Sequence, residues 1–252
     1  MIALITGATA GIGKSTAYTL AANRYNLIIT GRRKERLEKI KQEIEHQFSV
    51  RVITLAFDIR SKQECQQHLS SLPDEWKKID VLVNNAGLAQ GLASINKGLE
   101  EDWDTMIDTN IKGLLYVTKI VSNWMIERKQ GHIINIGSIA GKEVYPNGNV
   151  YCATKHAVDA LNKSMRMELL PYNIKVSAIH PGLVETEFSL VRFKGDAERA
   201  KQTYTGLQPL TPEDIANTIL WIIQQPAHVN INEVIIVPSV QANTREIIRN
   251  PN

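Results

Sequence analysis

A short apolar run that halts at glycine and turns at once into a helical pattern constrains this chain more than any other stretch. Ile2 to Thr6 stops at Gly7, and Thr6-Gly7-Ala8-Thr9-Ala10-Gly11-Ile12-Gly13 opens a helical pattern through Ala22. A strand fed through a tight turn into a helix is the first half of a βαβ unit, which demands a parallel sheet covered by helices. The glycines permit the turn and a close backbone approach, while the free N–H groups and dipole of the helix start favour an anion. Gly7, Thr9, Ala10, Gly11, Ile12 and Gly13 are therefore read as a phosphate cradle at the start of the fold.

The rest of the chain repeats the unit. Strands are expected at Asn26 to Thr30, Val50 to Phe57, Ile79 to Val83, Gly131 to Gly137, Ile174 to Ile179 and Ile231 to Val237, most of them nearly all apolar, as strands buried on both faces are. Helical patterns lie between them at Lys34 to Gln47, Lys62 to Leu72, Glu100 to Glu127 (interrupted at Asn110-Ile111-Lys112-Gly113), Tyr151 to Leu170 and, behind the capping sequence Thr211-Pro212-Glu213-Asp214, through Ile223. The fold class expected is α/β: a single-domain, Rossmann-like, doubly wound seven-stranded parallel sheet with helices on both faces, spanning 1–252. Glu187 to about Leu210 is polar and mixed and is expected to form a mobile lid, and Gln241 to Asn252 a polar tail.

Bulk properties exclude several classes. With 252 residues, 43% hydrophobic and 22% charged, one large domain suffices. The net charge of +3 is dispersed among acids, so no nucleic-acid surface is implied, although a mild positive field suits a phosphate-bearing ligand. Cys65 and Cys152 stand in unrelated contexts, which argues against a disulfide framework or a metal cluster; no metal is expected. No run approaches ~18 apolar residues, so the chain reads as soluble, cytoplasmic and without a membrane partner.

Several residues carry chemistry beyond the cradle. Where a protein preferring NAD usually has an acid after the second strand, this chain has Gly31-Arg32-Arg33. Arginines there can clamp a ribose 2′-phosphate, which favours NADP, or can simply begin the next helix. Asp58, followed by Ile59, can meet the adenine amine or cap the helix near Ser61. Asn84-Asn85-Ala86-Gly87, at the end of the fourth strand, suits backbone passing beside a bound ribose, or a structural turn. Asn110 sits in mid-helix at a local propensity cost. Ser138 follows the fifth strand at its C-terminal end, where such sheets bind ligands. Tyr151 and Lys155 are spaced i, i+4 and share a helix face, and a lysine ammonium beside a phenol lowers the phenol's pKa.

Thr6-Gly7-x-x-x-Gly11-x-Gly13, Asn84-Asn85-Ala86-Gly87, Asn110, Ser138, Tyr151-x-x-x-Lys155 and Pro181-Gly182, in that order, resemble the short-chain dehydrogenase/reductase family. Within it, Asp102-Trp103-x-x-Met106-Ile107-Asp108-Thr109-Asn110 and the stretch from Pro181 to Asp196 are similar to the NADP-dependent 3-hydroxy acid dehydrogenases. The resemblance implies a homotetramer that transfers a hydride between NADP(H) and serine, L-allo-threonine or 3-hydroxypropionate; the alternatives are reduction of a 3-oxoacyl, sugar or steroid carbonyl, or a non-catalytic NADP sensor. It implies that Tyr151 moves the alcohol proton, that Lys155 lowers the pKa of Tyr151 and holds the nicotinamide ribose, and that Ser138 binds the substrate oxygen. Asn110 holds a relay water, Asn85, Ala86 and Gly87 pass beside the cofactor, and Pro181, Gly182, Val184 and Thr186 hold the carboxamide. A 3-hydroxy acid also requires a cation for its carboxylate. Arg192 is the candidate, with Lys142 behind it; the alternative for Arg192 is an ion pair with Glu187 or Asp196.

Overall fold

The computed structural model describes residues 1–250. Seven strands, β1 (Ile2–Ile5), β2 (Asn26–Gly31), β3 (Val52–Ala56), β4 (Val81–Asn84), β5 (Gly131–Ile136), β6 (Ile174–Pro181) and β7 (Glu233–Ile236), form one sheet in the order β3-β2-β1-β4-β5-β6-β7. Every pairing is parallel. The seven-stranded, doubly wound, Rossmann-like sheet expected from the sequence is the one found, with strand ends shifted by a residue or two.

Alternation along β1 shows how the sheet divides its core. Ala3 and Ile5 point to one face, where α1 (Gly11–Ala22), α2 (Lys34–Gln47) and α9 (Pro212–Ile223) bury Leu20, Ile40, Ile215 and Ile219. Leu4 points to the other, where α3 (Lys62–Ser70), α5 (Leu114–Arg128) and α6 (Asn149–Leu169) bury Leu69, Val117, Met125 and Val158. A period of two in the strand against 3.6 in the helices thus places both layers from the sequence pattern. The strand order reverses between β1 and β4, and the crevice outside that switch point is where such sheets bind ligands. Among the described residues no helix is long and apolar enough to cross a membrane.

Two stretches carry structure that their composition did not specify. The stretch from Glu187 to Leu210 contains two short helices, α7 (Phe188–Arg192) and α8 (Ala197–Gln202). The stretch from Gln241 to Asn250 is docked onto the domain: Gln241 is buried, its side-chain oxygen accepts from the Leu183 N–H at 2.9 Å, and its backbone forms an antiparallel bridge with Ile247. Residues 251–252 of the expected tail lie outside the described residues.

Candidate active site

One cavity of about 500 Å³ runs along the C-terminal edge of the sheet and gathers residues from the motifs with the exception of Asn110, which is buried behind its wall. Its floor begins at the glycine turn. Gly7 and Gly11 take φ of +68° and +50°, and a Cβ on Gly13 would lie 2.5 Å from the Gly7 carbonyl. Asn85 locks this turn, its side-chain amide donating to the carbonyls of Thr6 and Gly7 at 2.8 and 3.1 Å. Thr6 Oγ1 accepts from the N–H groups of Asn85 and Ala86, both at 3.0 Å. The N-cap of α1, Ala10, supplies no side-chain acceptor, and the first turn holds no acid. The N-terminal N–H groups of α1 therefore face the cavity uncapped, which fits an anionic phosphate.

Arg32 and Arg33 line the cavity beyond the end of β2. Arg33 donates to Thr9 Oγ1 at 2.7 Å and pairs with Glu187 at 2.8 Å, and Arg36 holds the other Glu187 oxygen at 2.7 Å. Asp58 also lines the cavity but pairs with Arg60 at 2.6 Å, whose hydrogen bonds help hold its carboxyl below the ordinary range despite burial. Ser61, not Asp58, caps α3. Ile59 lines the cavity and packs against Gly113.

Asn110 lies in a π-helical turn, Asp108–Gly113, between α4 (Glu100–Ile107) and α5. Such insertions are common at functional sites. Its side chain clasps Leu88, accepting from the N–H at 2.9 Å and donating to the carbonyl at 2.8 Å, and donates to Thr154 Oγ1 at 3.0 Å. Gly87 stands beside both Asn110 Oδ1 and Lys155 Nζ.

Tyr151 and Lys155 are buried on α6, in its first two turns. Lys155 Nζ donates to the Ile136 carbonyl at 2.9 Å, and burial pulls its pKa down to about 8. Burial raises the pKa of Tyr151 well above its ordinary value; the neighbouring Tyr145 adds to the rise, while a hydrogen bond with Ser138 and the Arg192 charge oppose it. Among the cations near Tyr151, Arg192 is the one whose charge opposes the rise. Its guanidinium sits 5.7 Å from the Tyr151 ring centroid and donates to the Tyr145 hydroxyl at 2.9 Å. Its remaining contact is the Gly91 carbonyl at 3.4 Å, and among the described residues it has no carboxylate partner. The ion pair with Glu187 or Asp196 does not form, since Glu187 is held by Arg33 and Arg36. Lys142 is drawn elsewhere, to Asp159 at 2.9 Å and Glu233 at 2.6 Å, and does not line the cavity.

The Pro181 to Thr186 bend closes the far side. Leu210 bridges Val184, its N–H donating to the Leu183 carbonyl at 2.9 Å, and Tyr204 donates to the Val184 carbonyl at 2.9 Å. Thr186 lies against Gly11, and Pro181 and Gly182 complete the wall. Sequence reasoning missed Thr6, Tyr145, Tyr204 and Gln241. The Tyr145-Pro146 turn just ahead of the Tyr151 helix was a usable signal for the second, whereas the last two arrive by tertiary contact alone.

The short chain dehydrogenase family matches residues 1–196. An NADP-dependent 3-hydroxy acid dehydrogenase, YdfG, of Salmonella typhi is 49% identical over 243 residues, covering 96% of each chain. An NADP-dependent 3-hydroxy acid dehydrogenase of Schizosaccharomyces pombe is 41% identical over 247 residues, 98% of this chain and 95% of that one. The closed form of a serine dehydrogenase complexed with NADP+ is 45% identical and superposes with a TM-score of 0.92 over 99% of this chain and 100% of the other. With the glycine cradle, the Tyr151–Lys155 helix face and the Pro181 bend all opening on one cavity, that agreement along the whole chain makes it a member of the short-chain dehydrogenase family.

Proposed function

We propose that the chain is an NADP-dependent oxidoreductase that transfers a hydride between NADP(H) and small 3-hydroxy acids such as serine, L-allo-threonine or 3-hydroxypropionate. Relatives named for that activity support the reading, and one observation carries it to this substrate class. Arg192, a cation without a carboxylate partner among the described residues, stands over the Tyr151 ring inside the cavity. A 3-hydroxy acid brings a hydroxyl for Tyr151 and a carboxylate for Arg192.

The roles follow from each side chain. The uncapped start of α1 holds the pyrophosphate, and Arg32 with Arg33 holds the 2′-phosphate. Asp58 and Ile59 flank the adenine, and Asn85, Ala86 and Gly87 pass beside the ribose. Pro181, Gly182, Val184 and Thr186 orient the nicotinamide amide. Bound NADP supplies the hydride acceptor. Ser138 donates to the substrate oxygen, stabilising the charge that develops there. Tyr151 transfers the hydroxyl proton; buried and protonated, it is poised to donate in reduction, and the Arg192 and Lys155 charges favour the phenolate that oxidation requires. Asn110 holds the relay water beyond Lys155. Residues 187–210 act as the lid. The reading extends to a cytoplasmic location, which cell fractionation checks, and to a homotetramer, which light scattering of the purified protein checks.

Arg192→Ala tests the substrate class. Breaking a desolvated charge pair costs roughly 2–4 kcal/mol, so KM for serine should rise by about 30- to 1000-fold while KM for an uncharged secondary alcohol is spared, and kcat should fall for both because Tyr151 loses the nearby charge. An equal rise in KM for both substrates would overturn the carboxylate assignment.

A further inference from the structure

Behind Ser138 lies a charged cluster that does not line the cavity. His180, in β6, is fully buried. Its Nδ1 lies 3.3 Å from the Ser138 carbonyl oxygen, an atom that only accepts, so Nδ1 carries the proton. Gly137 makes the approach possible, because a Cβ there would lie 2.5 Å from Nδ1. The other ring nitrogen, Nε2, has no partner and faces Asp159 Oδ1 at 3.7 Å and Glu233 Oε2 at 3.8 Å. Those same two oxygens hold Lys142 Nζ at 2.9 and 2.6 Å. The imidazole nitrogen and the two carboxylate oxygens lie within 4.8 Å of one another, and the Lys142 ammonium is the cation that the two carboxylates share.

The cluster joins the two parts of the catalytic apparatus. Asp159 stands one turn beyond Lys155 on α6 and is also paired with Lys163 at 2.7 Å. Lys142 follows the short 3-10 turn Ile139–Gly141 that Ser138 caps, and Glu233 opens β7. We propose that His180, with Lys142, Asp159 and Glu233, is a positioning cluster that fixes the Ser138 segment against the helix bearing Tyr151 and Lys155. The proposal rests on the reading of Ser138 as the group that binds the substrate oxygen.

Neutral His180 leaves Lys142 in possession of both carboxylates. Protonation of Nε2 makes a second donor for the same two oxygens, which displaces Lys142 and loosens the turn after Ser138. The charged groups facing the ring are Lys142 after β5, Asp159 on α6, whose other oxygen is held by Lys163, and Glu233 on β7. Burial and Lys142 hold the imidazole's pKa below its ordinary value, while Asp159, the Ser138 carbonyl and Glu233 work in the opposite direction. The cluster is therefore set for activity at neutral pH and gives way in acid.

The test combines His180→Leu, which removes the donor to Ser138, with His180→Asn, whose amide can replace Nδ1. His180→Leu should lower kcat by about 10- to 100-fold, the cost of a misplaced reacting group, with the Kd for NADPH unchanged; His180→Asn should recover most of kcat. NMR titration of His180 in the full-length protein gives a readout independent of turnover and of the fate of the leucine variant. Lys142→Met should move its titration upward by about half a unit or more and, with no ammonium left to displace, should lower kcat at neutral pH and flatten its acid limb; Glu233→Gln should move both the titration and the acid limb downward. Wild-type kcat in both His180 variants, or in Glu233→Gln an acid limb that stays in place while the His180 titration moves, would overturn the positioning role. So would a His180 titration that neither substitution moves. A wild type that binds NADPH but turns over no hydroxy acid, aldehyde or ketone would overturn the functional reading and this inference with it.

Discussion

Burial sets the charge state of the paired residues on α6, and spacing alone did not reveal how. The i, i+4 pattern places Tyr151 and Lys155 on one face, and the structure puts them there. Their proton affinities come from tertiary surroundings: Lys155 falls to about 8 from its ordinary 10.5 because its ammonium is desolvated. A lysine that the unfolded chain protonates more readily than the fold destabilises the fold when charged. That penalty is fully present below about pH 8 and fades as pH rises towards 10.5, the folded protein losing its proton first. Lys155→Met should therefore stabilise the cofactor-free protein by about 2 kcal/mol at neutral pH while abolishing turnover. Urea unfolding at several pH values checks this: the gain should shrink through the alkaline window, and a destabilised variant would show that the hydrogen bond to Ile136 outweighs desolvation.

The two helices α1 and α9 pack against each other yet begin in opposite ways. Thr211 caps α9 in a full capping box, Thr211 accepting from the Asp214 N–H and the Asp214 carboxylate accepting from the Thr211 N–H, with Pro212 at the first position. At α1 the cap is missing and the glycine turn leaves the N–H groups to a ligand. Both starts were legible in the sequence, because caps and glycine turns are local chemistry. Thr211→Ala should cost about 1 kcal/mol of stability by chemical denaturation and leave kcat/KM unchanged. Gly13→Ala sets a Cβ against the Gly7 carbonyl, and should weaken NADPH binding by at least about 100-fold, measured by fluorescence titration, because the turn must open to admit it. The helices within 187–210 were not legible. At five and six residues, α7 and α8 are far below the length that propensity sustains. They persist through tertiary ties such as the Lys194–Asp102 pair at 2.8 Å and the hydrogen bond between Ser189 and Tyr204.

At the scale of the molecule, the C-terminal stretch links the proposed lid, 187–210, to the bend from Pro181 to Thr186. Gln241 Oε1 takes the Leu183 N–H at 2.9 Å, Arg249 donates to the carbonyls of Thr205 and Thr203 at 2.6 and 3.0 Å, and the Asn250 N–H donates to the Gly206 carbonyl at 2.8 Å. Thr244 donates to Glu143 at 3.2 Å, reaching the loop between β5 and α6. Polar composition marks this stretch only as a tail, because the contacts that dock it onto the domain lie far away in sequence and no local pattern encodes them. The consequence is mechanical: one end of the lid is tied to the arginines after β2 through Glu187, and the other to the last residues of the chain. Removing residues 241–252 frees one anchor and leaves the other, so the lid should open without the sheet being disturbed. We expect KM for the hydroxy acid to rise by roughly tenfold, about 1.4 kcal/mol of lost lid closure, with only a small fall in Tm. Limited proteolysis should cut within 187–210 faster in the truncated protein, and NADPH should protect the full-length chain more than the truncated one. Unchanged cleavage with an unchanged KM would mean that Glu187 and the Lys194 pair hold the lid without help from the C-terminus.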